Sequence, residues 1–295
     1  MELRANCFWT GAKAKSGFAA KGKRLEHEIS IRLGFFLGVF SMVAVGEVLA
    51  PRRSLNNSKA GRWFANLVIL ALNPVSVRLV FPLFPVGMAI MATESHWGLF
   101  NNVAFSYWLT VALGVIVMDF AIYLQHVLFH ALPLLWRLHM VHHADLDFDV
   151  TTGLRFHPLE IVLSMGVKIL VVALLGAPAL AVLIFEVALN ATAMFSHSNM
   201  RLPMRFDRIL RWFVVTPDMH RVHHSVVIRE TNSNYGFNMP WWDRLLGTYK
   251  DQPGQGHDGM TIGLAQFRDP ERLTLPWLLA LPFVGDPGKV PINRH

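Results

Sequence analysis

Ten of the fourteen histidines in this chain fall between positions 126 and 224. Eight of them form three clusters: His126-x-x-x-His130, His139-x-x-His142-His143 and His220-x-x-His223-His224. His157 and His197 stand singly between the clusters. Residues three and four apart share a helix face, so each cluster aims two or three imidazoles in one direction. Neutral imidazole suits iron, zinc, copper and nickel, and this many rings exceeds one tetrahedral site. A lone H-x-x-x-H on a helix carries little weight. His157, just ahead of Pro158 and Glu160, reads as a helix start as readily as a ligand. Two copies of H-x-x-H-H plus an H-x-x-x-H, all at the ends of apolar stretches, point to a metal centre.

The elements that must position these rings are apolar helices. The chain is 53% hydrophobic with a mean hydropathy of +0.37, and only 16% of its 295 residues are charged. One soluble core cannot hide that much apolar surface, so an integral membrane protein is expected. A first span runs from about Ile31 to Ala50, long enough for a hydrocarbon core of ~30 Å. Trp63 to Met91 is too long for one straight crossing. Pro74, Pro82 and Pro85 are expected to break it into one crossing plus a kinked or interfacial piece. Trp97 and Trp108 read as interface anchors around a third span, Val103 to His130. Asp119, Tyr123, His126 and His130 make one stripe on it, so Asp119 either orients a ligating histidine through Tyr123, the favoured reading, or pairs with a neighbouring helix. Pro133 opens a short helix carrying the second cluster, and Asp145 to Asp149 reads as a polar loop. Ile161 to Ser196, broken at Gly176-Ala-Pro178, reads as a hairpin that enters the membrane and returns. Its second arm places Glu186, Asn190 and His197 on one stripe. Because a hairpin returns its ends to one side, the clusters before and after it can meet. Thr216-Pro217 supplies the cap and first turn of the helix carrying the third cluster.

Four regions follow: a basic N-terminal segment (1–30), an N-terminal membrane region (31–100), the histidine-bearing domain (101–250) and a C-terminal tail (251–295). The formal charge of +7 is read as lysines and arginines at an anionic membrane surface, with no nucleic-acid motif to support the rival partner. A single cysteine, Cys7, excludes an internal disulfide framework and a thiolate cluster. The G-x-G-x-x-G match at Gly254 to Gly259 lacks the preceding strand and following helix of a dinucleotide site. A histidine-rich metal-binding or transport protein is the alternative reading. Transport would need polar residues along several spans, and only isolated ones occur.

An almost all-imidazole ligand shell resists oxidation, and two irons so held can activate O2 against an unactivated C–H bond while apolar helices exclude water. At this point the sequence resembles the fatty acid hydroxylase/sterol desaturase superfamily of membrane di-iron oxygenases over roughly Trp97 to Lys250. Besides the three clusters, the resemblance is carried by Asp119-Phe-Ala-Ile-Tyr123, Pro133-Leu-Leu-Trp136-Arg137, Thr151-Thr-Gly-Leu-Arg155-Phe-His157-Pro158-Leu-Glu160 and Phe195-Ser-His197-Ser-Asn199. Asn234-Tyr235-Gly236 and Trp242-Asp243-Arg244-Leu-Leu-Gly247-Thr248 close it. It implies an all-α fold, a polytopic membrane helical bundle whose cytosolic, histidine-rich cap holds a di-iron site. It also implies that the eight cluster histidines, with His197 and His157, ligate two non-haem iron ions. Asp119, Tyr123, Glu186, Asn190 and Asn234 would line the pocket or support the ligands. The expected reaction is hydroxylation or desaturation of a lipid (sterol, fatty acyl or related) with O2. With no nucleotide-binding motif or fused haem domain in view, electrons would come from a separate donor protein and reductase. Lys/Arg bias in short loops places the metal site on the cytosolic side. The arginines on its side are Arg137, Arg155, Arg201, Arg205, Arg208, Arg211 and Arg221, whereas the Ser95–Asn102 loop and the hairpin tip have neither lysine nor arginine.

Overall fold

A computed structural model describes residues 11–290 of the chain, with side chains from His27 onward. Cys7 and the side chains of the basic N-terminal segment lie outside the described residues. The described residues contain helices and turns, three isolated β-bridges and no strand. Five helical segments are long and apolar enough to cross a membrane: His27–Leu49, Lys59–Asn101, Tyr107–Ala131, Pro158–Leu175 and Ala179–Ser196.

Helix α1 (Gly11–Leu49) is continuous across residue 30, where the composition turns from basic to apolar. Helix α2 (Lys59–Val80) follows, capped by Ser58, whose hydroxyl accepts the Gly61 amide. Pro74 does not break α2 as expected, and the helix runs through it to Val80. The break comes at Phe81–Phe84, beside Pro82, and α3 (Pro85–Glu94) continues beyond it. The upper half of α2 lies in the histidine-bearing cap, where Arg62 and Asn66 are buried against residues 145–152. Lower down, Asn73 Nδ2 donates to the Phe156 carbonyl. The long apolar stretch is therefore one candidate span with a kinked continuation.

Helix α4 (Tyr107–Ala131) returns to the cap, and α5 (Pro133–His143) starts one residue later on a first-turn proline. Helices α6 (Pro158–Leu175) and α7 (Ala179–Ser196) form the expected hairpin. Its tip requires glycine. Gly176 caps α6 in the left-handed region at φ +63°, and a Cβ there would sit 2.3 Å from the Trp97 carbonyl oxygen. Gly98, at φ +81°, approaches Gly176 from the other side. The tip thus rests on the Trp97–Asn101 loop at the end of the bundle farthest from the histidines. Helix α1 packs along α7, and α3 and α4 pack on the hairpin. The core between them is Val86, Ile122, Val172, Val182 and Phe185. Outward faces such as Phe35, Met42, Leu79, Trp108 and Leu174 are exposed, as lipid-facing surfaces are.

The cap continues with α8 (Met204–Leu210), α9 (Pro217–His223), α10 (Ile228–Thr231), α11 (Trp241–Leu245) and α12 (Gly256–Gly259). Thr216 caps α9 as expected, its hydroxyl accepting the Met219 amide at 3.4 Å. Helix α13 (Leu275–Val284) lies across α5 and α2, closing an apolar core around Trp136, Met140, Leu278 and Leu281.

The Asp145–Asp149 segment is not an exposed polar loop. All three aspartates are buried. Arg62 grips Asp145 with Nε and Nη2 at 2.7 and 2.9 Å, and reaches Asp149 through Nη1 at 2.9 Å. Asp147 accepts the amides of Asn56 and Asn57. Arg155 donates to the Val141 carbonyl and lies 3.5 Å from Asp145. Burial alone would raise the Asp145 carboxyl, but the Arg62 and Arg155 guanidinium groups overcome it and hold it well below the usual carboxylate range.

Candidate metal centre

Nine histidines converge at the cap end of the bundle, in two groups. One holds His126 and His130 from α4, His139 and His143 from α5, and His223 from α9. The other holds His142 from α5, His197 at the end of α7, and His220 and His224 from α9. Within each group the ligand atoms lie within 4.8 Å of one another. The groups adjoin, since the rings of His143 and His224 stack at 4.4 Å and those of His220 and His223 at 5.0 Å. Helix periodicity explains the partition. On α5, His139 and His143 share a face four residues apart, and His142 turns aside to the second group.

Backbone and side-chain acceptors fix the ring orientations. His126, His223 and His197 donate from Nδ1 to the carbonyls of Tyr235, Ser233 and Ala193, each at 2.7 Å. His139 Nδ1 meets a Glu160 carboxylate oxygen at 2.7 Å, and His130 Nδ1 meets Asn232 Oδ1 at 3.2 Å. A carbonyl can only accept, so Nδ1 carries the proton and Nε2 turns a bare lone pair inward. His126 Nε2 lies 3.0 Å from His139 Nε2 and 3.1 Å from His223 Nε2. His126 and His223 are both protonated at Nδ1, so their Nε2 contact sets lone pair against lone pair and cannot be a hydrogen bond. In the second group, three imidazole nitrogens crowd the bare His197 Nε2 at 3.0, 3.0 and 3.2 Å. A cation between the nitrogens removes the repulsion, so the donor set fits metal ions.

Protonation favours the same conclusion. Burial, reinforced by neighbouring imidazoles, holds His139, His142, His143, His220, His223 and His224 well below the ordinary histidine value. Burial brings His197 down to about 3, opposed only by its bond to Ala193. All these rings are therefore neutral at pH 7, the form that binds metal.

The tenth candidate, His157, joins neither group. Its Nδ1 accepts the Leu159 amide at the start of α6, and its Nε2 faces the Leu279 carbonyl at 3.3 Å. It is a helix cap held under α13, with both nitrogens engaged. Asp119 does not act on a histidine through Tyr123. It accepts Trp242 Nε1 at 2.7 Å and so ties the 234–248 segment to α4. Tyr123 reaches the centre less directly. Its hydroxyl meets Thr248 Oγ1 at 2.9 Å, Thr248 donates to Asp243, and Asp243 accepts the Tyr235 amide, whose own carbonyl holds His126. Asn234 sits at φ +54° and pins the Met219 and Lys250 carbonyls, locking α9 to the segment that follows. Glu186 is drawn into the bundle by Arg32 at 2.6 Å and Lys168 at 3.1 Å, away from the histidines. Asn190 is exposed and donates to the Glu186 carbonyl of its own helix. Glu160 and Asn232, read from the sequence as a helix opening and not at all, are the side chains that hold His139 and His130.

Fold and donor set together define a membrane helical bundle with two adjoining histidine groups at one end that could hold metal ions. The chain belongs to the fatty acid hydroxylase/sterol desaturase superfamily, with the fatty acid hydroxylase family model matching residues 111–248. It is 31% identical over 228 residues to the ornithine lipid hydroxylase OlsE of Rhizobium tropici, covering 74% of this chain and 66% of that protein. It is 29% identical over 162 residues to the alkylglycerol monooxygenase of Xenopus tropicalis, covering 55% and 34%. Against the cholesterol 25-hydroxylase of Rattus norvegicus the identity is 27% over 146 residues, covering 48% and 47%. The matches thus span about a third to two thirds of these curated relatives. No solved structure matches significantly.

Proposed function

We propose that this protein is a membrane-embedded, O2-dependent di-iron oxygenase that hydroxylates an unactivated C–H position of a lipid, with desaturation as the variant outcome. The observation that carries the reading is the pair of adjoining, buried, neutral imidazole groups at the end of an apolar bundle. The relatives' names, all hydroxylases or monooxygenases of lipids, support the reaction class. Two irons, one in the five-histidine group and one in the four-histidine group, would supply the redox chemistry of O2. The chain's own residues orient the ligands through Glu160, Asn232 and the carbonyls of Ala193, Ser233 and Tyr235. Phe237 and Phe156 pack directly on His126 and His142, so apolar surface borders the centre and excludes water where a lipid chain would lie. Inserting one oxygen atom into a C–H bond and releasing the other as water consumes two electrons and two protons. We assign the electrons to a separate donor protein and its reductase.

We also place the centre on the cytosolic side, with a narrower basis than the raw arginine count. Arg155, Arg211 and Arg221 are buried, and Arg137 is held by the Pro282 and Gly285 carbonyls, which leaves Arg201, Arg205 and Arg208 exposed. The metal-transport alternative gains no support. Three charged groups within the spans, Glu186, Arg32 and Lys168, are paired with one another rather than lining a path. Elemental analysis of the purified protein tests the reading, with two irons per chain expected. Replacing His142 or His223 with alanine should abolish lipid oxidation while the protein still inserts. Near-normal turnover in both variants would overturn it.

A further inference from the structure

Helix α8 is packed inside out. Its inward groups are charged, for Asp207 and Arg211 pair in the interior and Arg211 continues to Asp251. Its outward groups are apolar, with Met204, Phe206 and Ile209 exposed by 76%, 60% and 62%. Trp212 and Phe213 follow at 55% and 67%. A surface helix facing water shows the reverse pattern. The patch extends beyond the helix. Trp241 Nε1 donates to the Trp212 carbonyl at 2.7 Å, and the Arg244 guanidinium is sandwiched 4.1 Å from the Trp212 ring and 4.0 Å from the Tyr249 ring. Leu245 and Leu246 are exposed beside it. Contiguous apolar surface of this extent marks an interaction site.

Charge and position identify the partner. Arg201, Arg205 and Arg208 stand exposed among these side chains, without a carboxylate partner among the described residues. Unpaired guanidinium groups beside outward aromatic and aliphatic side chains suit anionic headgroups above acyl chains. The patch also continues from the lipid-facing helices. It begins a few residues after α7 ends at Ser196, and it is stitched to the end of α1 by the Arg201 amide donating to the Ala50 carbonyl at 2.8 Å.

We propose that α8, with Trp212, Phe213 and the Trp241–Leu246 turn, lies in the headgroup region of an anionic leaflet as an in-plane membrane platform. Residues 214–216 connect this platform directly to α9, so it sets the height of His220, His223 and His224 relative to the bilayer. The platform is distinct from the spans and does not depend on which reaction the centre performs.

Site-directed spin labelling of the full chain in bilayers tests this without recourse to turnover. In a Cys7→Ser background, nitroxides are placed at Ile209→Cys and Phe213→Cys, with Asp258→Cys, whose parent residue is 79% exposed, as the aqueous control. In phosphatidylcholine bilayers containing phosphatidylglycerol, the first two positions should collide several-fold more with O2 than with a water-soluble nickel chelate, and the control should do the opposite. Nickel collision at 209 and 213 equal to the control would overturn the proposal and leave the face to a soluble partner. Strong dipolar broadening between labels would overturn it in favour of a second copy of this chain. Immersion equal in phosphatidylcholine alone would overturn the assignment to anionic lipid.

Discussion

Replacing Arg62 with methionine isolates the buried ion network beneath the histidines. Arg62 is 2% exposed and makes three charge-assisted hydrogen bonds, two to Asp145 and one to Asp149. Removing one partner of a buried ion pair costs about 3–5 kcal/mol, because the abandoned charge stays in a poorly solvating interior. The surroundings argue for the lower end of that range. Asp145 would keep the Thr152 hydroxyl at 3.0 Å and Arg155, whose Nη1 already lies 3.5 Å away and whose Nη2 is unpartnered. Asp149 would keep Trp63 Nε1 at 3.2 Å and the Thr151 amide at 2.9 Å. A loss of ~3 kcal/mol corresponds to a melting shift of roughly 6–12 °C for a chain of this size. The same change should loosen metal retention, since the network begins two residues after His143 and fixes the turn joining α5 to α6.

The assay is thermal unfolding of the detergent-solubilised protein by tryptophan fluorescence at a fixed heating rate, with metal content measured in parallel. Arg62→Lys keeps the charge but not the fork, and should fall between wild type and Arg62→Met. Combining Arg62→Met with Asp145→Asn should cost less than the sum of the two changes, because the residues touch. If Arg62→Met melts within about 2 °C of wild type and keeps its full metal complement, the reasoning from burial and ion pairing fails.

Glu160→Gln keeps the shape but replaces the carboxyl that meets His139 Nδ1 with an amide, so metal affinity should fall by about 10–100-fold. Competition with a graded series of chelators measures this, and unchanged retention would contradict it. The histidines with depressed values make the unfolded chain the better proton binder, so stability should be complete above the ordinary histidine value of ~6.5 and decline as pH falls below it, with His197 contributing down to about 3. Melting temperature and metal retention that stay flat from pH 7 to ~4.5 would refute that linkage. With Cys7 removed, Gly254→Cys in the exposed cap should resist a membrane-impermeant thiol reagent in intact cells, and ready labelling would invert the proposed orientation.

How much of this was legible in the sequence depended on where each interaction is written. The nine converging rings were readable because ligand spacing is a side-chain pattern local to one helix, and because the apolar hairpin said which ends could meet. Their partition into five and four was not readable. It depends on the crossing of α4, α5 and α9, which bring His126 to His139 and His223 while turning His142 toward His197. The stripe Glu186–Asn190–His197 was sound as geometry and misleading as function. A shared helix face says which side chains align, not what lies opposite, and opposite Glu186 are Arg32 and Lys168 rather than a metal.

The supporting shell shows the deeper limit. Three of the rings are oriented by the carbonyls of Ala193, Ser233 and Tyr235, groups that every residue carries and no sequence pattern marks. Asp145 opened a polar loop in the sequence, yet it forms a buried pair with Arg62 across 83 positions. Each reads as solvated when taken alone, because a charge between apolar stretches usually is. The chain reverses that expectation at the two ends of one design. In the cap interior it buries Arg62, Asp145, Asp149 and Arg155 together, so that the turn carrying three ligands onward to Glu160 is held by directional bonds. At α8 it again buries the ion pair and turns Phe206, Ile209 and Phe213 outward. The proposed reaction, in which these rings meet a lipid at the bilayer boundary, would draw on both features: polar order behind the histidines and apolar surface where water would otherwise stand.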